Sequence, residues 1–229
     1  MAEFPGFSPD LIVFLRNLRD NNTTGWFNAH RDSYENYLLD PAREFILALG
    51  ERLREVVPDI IYDPRINRSI FRLNRDTRFS ADKTPYKTHL ALWFWEGAGK
   101  RMDCPGFYFH LEPDSIMLGT GIYCFNPKLL ERYREAVADK RTGVALERAI
   151  KNVSANGGYR LGGEHYKRVP RGYDANHERA GLLRYNGLYV GSEDPVPQEI
   201  FTPAILEYCV ERFNAMMPVH RWLVKLTEG

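Results

Sequence analysis

The stretch Gly106–Tyr123, GFYFHLEPDSIMLGTGIY, decides the fold. Phe107, Phe109 and Leu111 alternate with Tyr108, His110 and Glu112, the period of a strand with one buried and one wetter face. Pro113-Asp114 supplies turn chemistry, and Ser115–Tyr123 returns as the second arm of a hairpin. Working outward, Leu90–Trp95 and Ile66–Asn74 carry β-branched and aromatic residues and read as strands as well. Runs this close together favour an antiparallel meander, because parallel pairs need crossovers of about a dozen residues or more.

The flanks have the helical period instead. Ser8 followed by Pro9 is a capping hydroxyl and then a proline at the first helical position, and Leu11, Phe14, Leu15 and Leu18 recur at helical spacing. Thr24 reads as the cap of a helix carrying Trp26, Phe27, His30, Tyr34 and Tyr37, and Asp40-Pro41 restarts the chain into a third. Asn126-Pro127, Thr142 and Thr202-Pro203 open later helices, and Pro218 kinks or restarts the last. The expectation is an α+β single domain, a central antiparallel sheet (meander) packed with N-terminal and C-terminal helices. Helices fill 8–58, the sheet with a basic loop fills 64–124, and helices with a second basic loop at 160–190 fill 126–229.

Composition narrows the class. The 229 residues are 44% hydrophobic and 27% charged, the balance of an ordinary globular chain rather than a disordered one. A formal net charge of +1 excludes a domain that is basic throughout, the usual footprint of a nucleic-acid binder. The opening MAEFPGFSPD lacks the basic and then apolar pattern of a secretory signal, and the longest apolar run, Leu90–Trp95, is far short of a membrane span. Cys104, Cys124 and Cys209 are odd in number and form no CxxC pair, so reduced thiols packed in the core and a cytoplasmic location are expected.

Against that near-neutral background, Arg65–His89, RINRSIFRLNRDTRFSADKTPYKTH, holds seven Lys or Arg and only two Asp. Such a local excess of charge favours an anionic partner. Arg75 and Arg78 offer planar forks suited to carboxylate or phosphate, and Lys83 and Lys87 add mobile positive charge. Asp76 and Asp82 could orient those cations, bind a metal or act as a base, and Pro85 restrains the backbone before Tyr86. The alternative is a connection laced with ion pairs, each worth roughly 0–1 kcal/mol when exposed. His110 and Glu112 lie two apart on one strand and share a face with Tyr108. They could supply two metal ligands, or a general base with its orienting carboxylate, or simply the wet face of a half-exposed sheet, and HxE alone is a weak signal for a metal. A second basic stretch, HYKRVPRGYDANHERAGLLRYNGLYV, offers Arg171 as a further anion contact.

The run RDTRFSADKTPYKTH, then GFYFHLEPDSIMLGTGIY, then YKRVPRGYDANHERAGLLRYNGLYV, resembles the domain of unknown function 2461 family across almost the whole chain. Its R-D-x-R-F-S-x-D-K-x-P-Y-K core is matched by Arg75, Asp76, Arg78, Phe79, Ser80, Asp82, Lys83, Pro85, Tyr86 and Lys87. Its P-x-G-Y segment is matched by Pro170, Gly172 and Tyr173. Leu73-Asn74 stands where an isoleucine and a tyrosine often sit. The resemblance implies no particular reaction, substrate or cofactor.

The functional expectation is a basic, anion-binding site on the RDTRFSADKTPYK loop of an enzyme acting on a small phosphorylated or otherwise anionic substrate. Arg75, Arg78, Lys83, Lys87 and Arg171 would hold the anion, and Asp76, Asp82, Tyr86 and His110 would supply catalytic groups. No cofactor and no metal ligands are assigned, and no membrane is involved. Two alternatives stay open: a non-catalytic module for nucleic acid or an acidic protein partner, and a purely structural polar core.

Overall fold

A computed structural model describes residues 4–155 and 157–228. It contains one antiparallel six-stranded sheet with helices, an α+β fold. In chain order the strands are β1 (Ile60–Ile61), β2 (Leu90–Glu96), β3 (Gly106–Leu111), β4 (Ser115–Ile122), β5 (Arg160–Glu164) and β6 (Tyr185–Pro195). Across the sheet they stand β1-β2-β3-β4-β6-β5, so the meander covers the first four and the last two enter in reverse. The β3–β4 hairpin closes where expected, with the Glu112 N–H donating to the Ser115 carbonyl at 2.9 Å.

The chain groups into two compact units. The first holds residues through Phe94, Tyr108–Met117 and Glu193–Glu211, and the second holds Trp95–Phe107, Leu118–Ser192 and the chain from Arg212 onward.

In the first unit α1 (Pro9–Asp20) starts as its sequence dictates, with the Ser8 hydroxyl accepting from the Asp10 N–H at 3.1 Å. The next helix, α2 (Thr24–Ala29), is capped one residue earlier than expected. Thr23 is the residue with extended backbone, and its hydroxyl accepts from the Trp26 N–H at 3.2 Å. Short α3 (Arg31–Tyr34) then widens into a π-helical turn over Glu35–Leu39 before α4 (Asp40–Arg54). Pro41 has no N–H to give the preceding turn, and the Asp40 N–H reaches back five residues to the Glu35 carbonyl there. Phe4, Phe7, Phe45 and Phe109 meet with ring centroids 5.0–6.3 Å apart, the centre of this unit's core. Burying a ring such as Phe109 contributes about 1.5–3 kcal/mol.

The segment Ile66–Asn74 is not a strand. It makes only isolated bridges, Ile66 with Ile70, Ile70 with Leu92, and Asn74 with Tyr86. Its peptide groups divide between local turns, such as the Asn67 N–H to the Ile70 carbonyl at 2.8 Å, and scattered bonds to β2, such as the Phe71 N–H to the Ala91 carbonyl at 3.0 Å, so no continuous ladder forms.

In the second unit α5 (Pro127–Ala138) is capped by Asn126, whose side chain accepts from the Leu129 N–H at 2.9 Å. The following helix, α6 (Lys140–Ala155), begins before Thr142, because Asp139 accepts from both the Arg141 and Thr142 amides at 3.0 and 2.8 Å. Residues 126–229 are not helices and loop alone. β5 and β6 pair antiparallel through this region, with Arg160 opposite Gly191 and Gly162 opposite Tyr189. The last helix, α7 (Ile205–Glu228), runs through Pro218 without a break. Among its residues His220 is fully buried: Nε2 lies 2.7 Å from a Glu96 oxygen, and the ring stacks on Phe107. Cys104 and Cys209 are buried as expected, but Cys124 is exposed, following β4 in the link to α5. None of the described helices is long and apolar enough to cross a membrane.

Candidate functional site

Alternation along β3 divides its side chains between two faces. Phe109 and Leu111 are wholly buried, and Phe109 packs on Phe7 and Phe45. Tyr108, His110 and Glu112 therefore project from the opposite face, where they form a chain. The Tyr108 hydroxyl lies 2.8 Å from His110 Nδ1, and His110 Nε2 lies 3.1 Å from a Glu112 carboxylate oxygen. His89, the residue before β2, sets its ring against His110 with centroids 4.1 Å apart and planes tilted 33°. One donor atom each from His89, His110 and Glu112 falls within 4.8 Å of the other two.

This corner has the electrostatics of a partly desolvated site. Burial first, and then the nearby His110 and Lys87, pull the His89 pKa down to about 3, so its imidazole is neutral at physiological pH. Burial, with the Glu112 charge, pushes the Tyr108 phenol up to about 12, so it remains a neutral hydroxyl. Phe71 meets Tyr108 edge-on at 6.1 Å, and the Lys87 ammonium stands 5.6 Å from the centre of the Phe71 ring. Lys87 is thus the cation of the basic segment that reaches this face.

The loop itself is organised differently. Arg78 grips Asp76 through two side-chain nitrogens at 2.9 and 2.7 Å, and Arg75 bonds both Asp82 and the Thr84 hydroxyl. Asp82 also accepts from the Thr84 amide at 2.9 Å, and Lys83 donates to the Thr77 carbonyl at 2.8 Å. The arginine bonds hold both carboxyls below their ordinary range, Asp82 at about 2 and Asp76 in the same direction. As bases near neutral pH they are weak, because a proton-accepting group works best when its pKa lies near the operating pH. At the tip Phe79 is 95% exposed beside the Arg78 guanidinium.

Tyr86 is buried, its ring stacked on Phe27 at 4.2 Å. Asn22 holds its backbone from both sides, donating to the Tyr86 carbonyl at 2.9 Å and accepting from its amide at 3.0 Å. That geometry gives Tyr86 a part in packing. Arg171 stands on an exposed turn of the second unit. Of the residues singled out in the sequence, the fold thus brings Lys87 and His110 to one face and leaves Arg75, Arg78, Lys83, Asp76 and Asp82 bonded within the loop.

His89 is the member that sequence reasoning passed over. It ends the basic stretch and belongs to no motif with His110. One signal could have found it. In an antiparallel β2–β3 pair, with the Glu96 amide donating to the Pro105 carbonyl, the start of β2 lies beside the end of β3. A histidine just before Leu90 then meets the His110–Glu112 end.

An α+β fold with a polar, histidine-bearing face on an antiparallel sheet is the class these features define. Residues 10–222 match a family described as conserved hypothetical protein (DUF2461), and the chain belongs to that family. A search of curated proteins finds no match.

Proposed function

We propose that this protein is an enzyme acting on a small phosphorylated or carboxylated substrate, held on the Tyr108–His110 face of the first unit. The observation that carries the reading is the position of Lys87, drawn out of a strongly basic segment and set over Phe71 beside Tyr108 and His89. Its ammonium supplies a point charge for an anionic group, in a setting partly shielded from water where charge acts more strongly. His110, bonded to a hydroxyl on one nitrogen and facing a carboxylate on the other, is arranged for proton transfer. Arg75 and Arg78 contribute long-range attraction through the loop's positive balance, and Asp76 and Asp82 orient those arginines. The two buried and one exposed free cysteines suit a reducing compartment such as the cytoplasm.

The test is a thermal-shift and calorimetric screen with inorganic phosphate, sugar phosphates, nucleotides and small dicarboxylates. A ligand at a hundred times its Kd adds about 2.7 kcal/mol of stability. A small anion whose binding is lost in Lys87→Ala supports the reading, and a silent panel counts against it.

The exposed Arg78–Phe79 tip favours a second reading, a module contacting nucleic acid, since an aromatic face beside a cation suits a stacked base. Binding confined to oligonucleotides, falling steeply with salt and lost in Phe79→Ala, would select it.

A further inference from the structure

We propose that His89, His110 and Glu112 bind a divalent first-row transition ion, with His110 Nε2, a His89 ring nitrogen and a Glu112 oxygen as its protein ligands. This goes beyond the anion reading and does not rest on it.

The donor set comes first. Two imidazoles and one carboxylate suit zinc, iron(II), cobalt and nickel, and they are poor hosts for calcium or magnesium, which prefer oxygen throughout. With three protein ligands, positions on the ion stay open for water or substrate, the arrangement of catalytic rather than structural sites.

The geometry is close to that needed. Bonds of about 2.0–2.2 Å place the ligand atoms of a tetrahedral ion about 3.3–3.6 Å apart. His110 Nε2 and the Glu112 oxygen are already 3.1 Å apart, and all three donor atoms lie within 4.8 Å of one another. Closing the remainder asks the His89 and Glu112 donor atoms to approach by about 1 Å. His110 lies on β3, Glu112 directly follows that strand, and His89 directly precedes β2, so the paired backbone holds all three close together.

The surroundings agree. With an ion on Nε2 the ring proton sits on Nδ1, and the Tyr108 hydroxyl, 2.8 Å away, is placed to accept it, the outer-shell arrangement that orients most metal-bound histidines. His89 is half-buried, its ring set against that of His110 with centroids 4.1 Å apart. The His110 side chain is 13% exposed and that of Glu112 49%, so the carboxylate side provides a path for the ion to enter. The Glu112 carboxylate offsets part of the ion's charge, whereas the Lys87 ammonium, a like charge nearby, works against binding.

The experiment is a titration of tag-free, metal-stripped protein with cobalt(II), followed by its visible absorption, with zinc added as competitor. One ion per chain is expected. Binding should fall by more than a hundredfold in His110→Ala and in His89→Asn, and persist unchanged in His165→Ala, an exposed histidine of the second unit. X-ray absorption on the wild-type zinc or cobalt protein needs no variant, and should show two imidazoles and at least one oxygen. A wild-type chain that takes up no ion, a bound ion with no imidazole neighbours, or binding indifferent to His89 and His110 would each overturn the assignment. A folded, metal-loaded protein that ignores every anion would leave this site standing while removing the proposed function.

Discussion

The basic loop 75–87 and the histidine face of β3 differ in how they use charge. The loop concentrates cations in sequence, yet in three dimensions it commits three of them to partners of its own: Arg78 holds Asp76, Arg75 holds Asp82, and Lys83 bonds a main-chain carbonyl. The histidine face has little charge in sequence, yet it gathers two imidazoles and a carboxylate around one point, with a phenol bonded to one of the rings. Charge density along a chain therefore measures potential for attraction, whereas side-chain atoms converging from separate strands measure capacity for chemistry. The loop's exposed pairs are each worth about 0–1 kcal/mol, too little to fix a reaction, and they serve to shape the loop.

That contrast breaks most directly at the largest expected effect. Removing both histidines in a His89→Ala, His110→Ala variant should abolish cobalt binding while circular dichroism stays unchanged, since neither ring belongs to the phenylalanine core. Retained binding would erase the distinction between the two regions. Tyr108→Phe should then weaken the ion by about 10–100-fold, the usual cost of losing an outer-shell partner. It keeps the ring against Phe71 and Trp93, so stability should barely move. A melting temperature that falls while metal affinity holds would mark Tyr108 as a packing residue only.

Anion binding separates the regions at the next level. Lys87→Ala should weaken the small anion found in the screen by about 1.5–3 kcal/mol, the range for a hydrogen bond to a charged group. Arg78→Ala, which removes a cation already committed to Asp76, should cost under about 1 kcal/mol. Calorimetric titration of the two variants checks the order, and the reverse order would return the site to the loop.

The fold was legible wherever local chemistry and tertiary pairing agree. Strict alternation from Phe107 to Glu112, the Pro113-Asp114 turn, and the Ser8-Pro9 and Asn126-Pro127 helix starts each name one structure, and the chain adopts it. β5 and β6 were illegible because their glycines imitate breakers. Gly187 in β6 lies so close to the preceding hairpin arm that an added Cβ would stand 2.0 Å from the Tyr123 carbonyl oxygen. Gly121 of β4, with φ of +145°, comes just as close to Leu188, but there the hairpin reading places it in a strand. Gly187 is a glycine of close strand approach with no such neighbour in sequence to distinguish it from a loop glycine. Ile66–Asn74 failed the other way: strand-like residues meet β2 only at an isolated bridge and scattered bonds, because local turns interrupt the run. In the site, His110 and Glu112 were visible because period two places both on one face. His89 was hidden because its neighbour is supplied by sheet register, a long-range property.

The smallest expected effect tests the loop from within. Asp82 titrates at about 2, below its ordinary 3.8, because the Arg75 side chain and the Thr84 amide and hydroxyl favour its charged form. A carboxyl whose folded pKa is depressed stabilises the fold above its unfolded pKa and loses that contribution as pH falls through the folded value. The bonds from Arg75 and Thr84 should thus be intact at pH 5 and weaken between about pH 4 and pH 2. The Thr84 amide resonance reports this locally, since its N–H donates to Asp82 at 2.9 Å. An inflection near 2 that moves or vanishes in Arg75→Ala would show a loop closed by its own charges. An inflection near 3.8, unchanged in that variant, would mean that Arg75 is free of Asp82 in solution. Its fork would then be available to an anion, and the loop would have to be counted as part of the site after all.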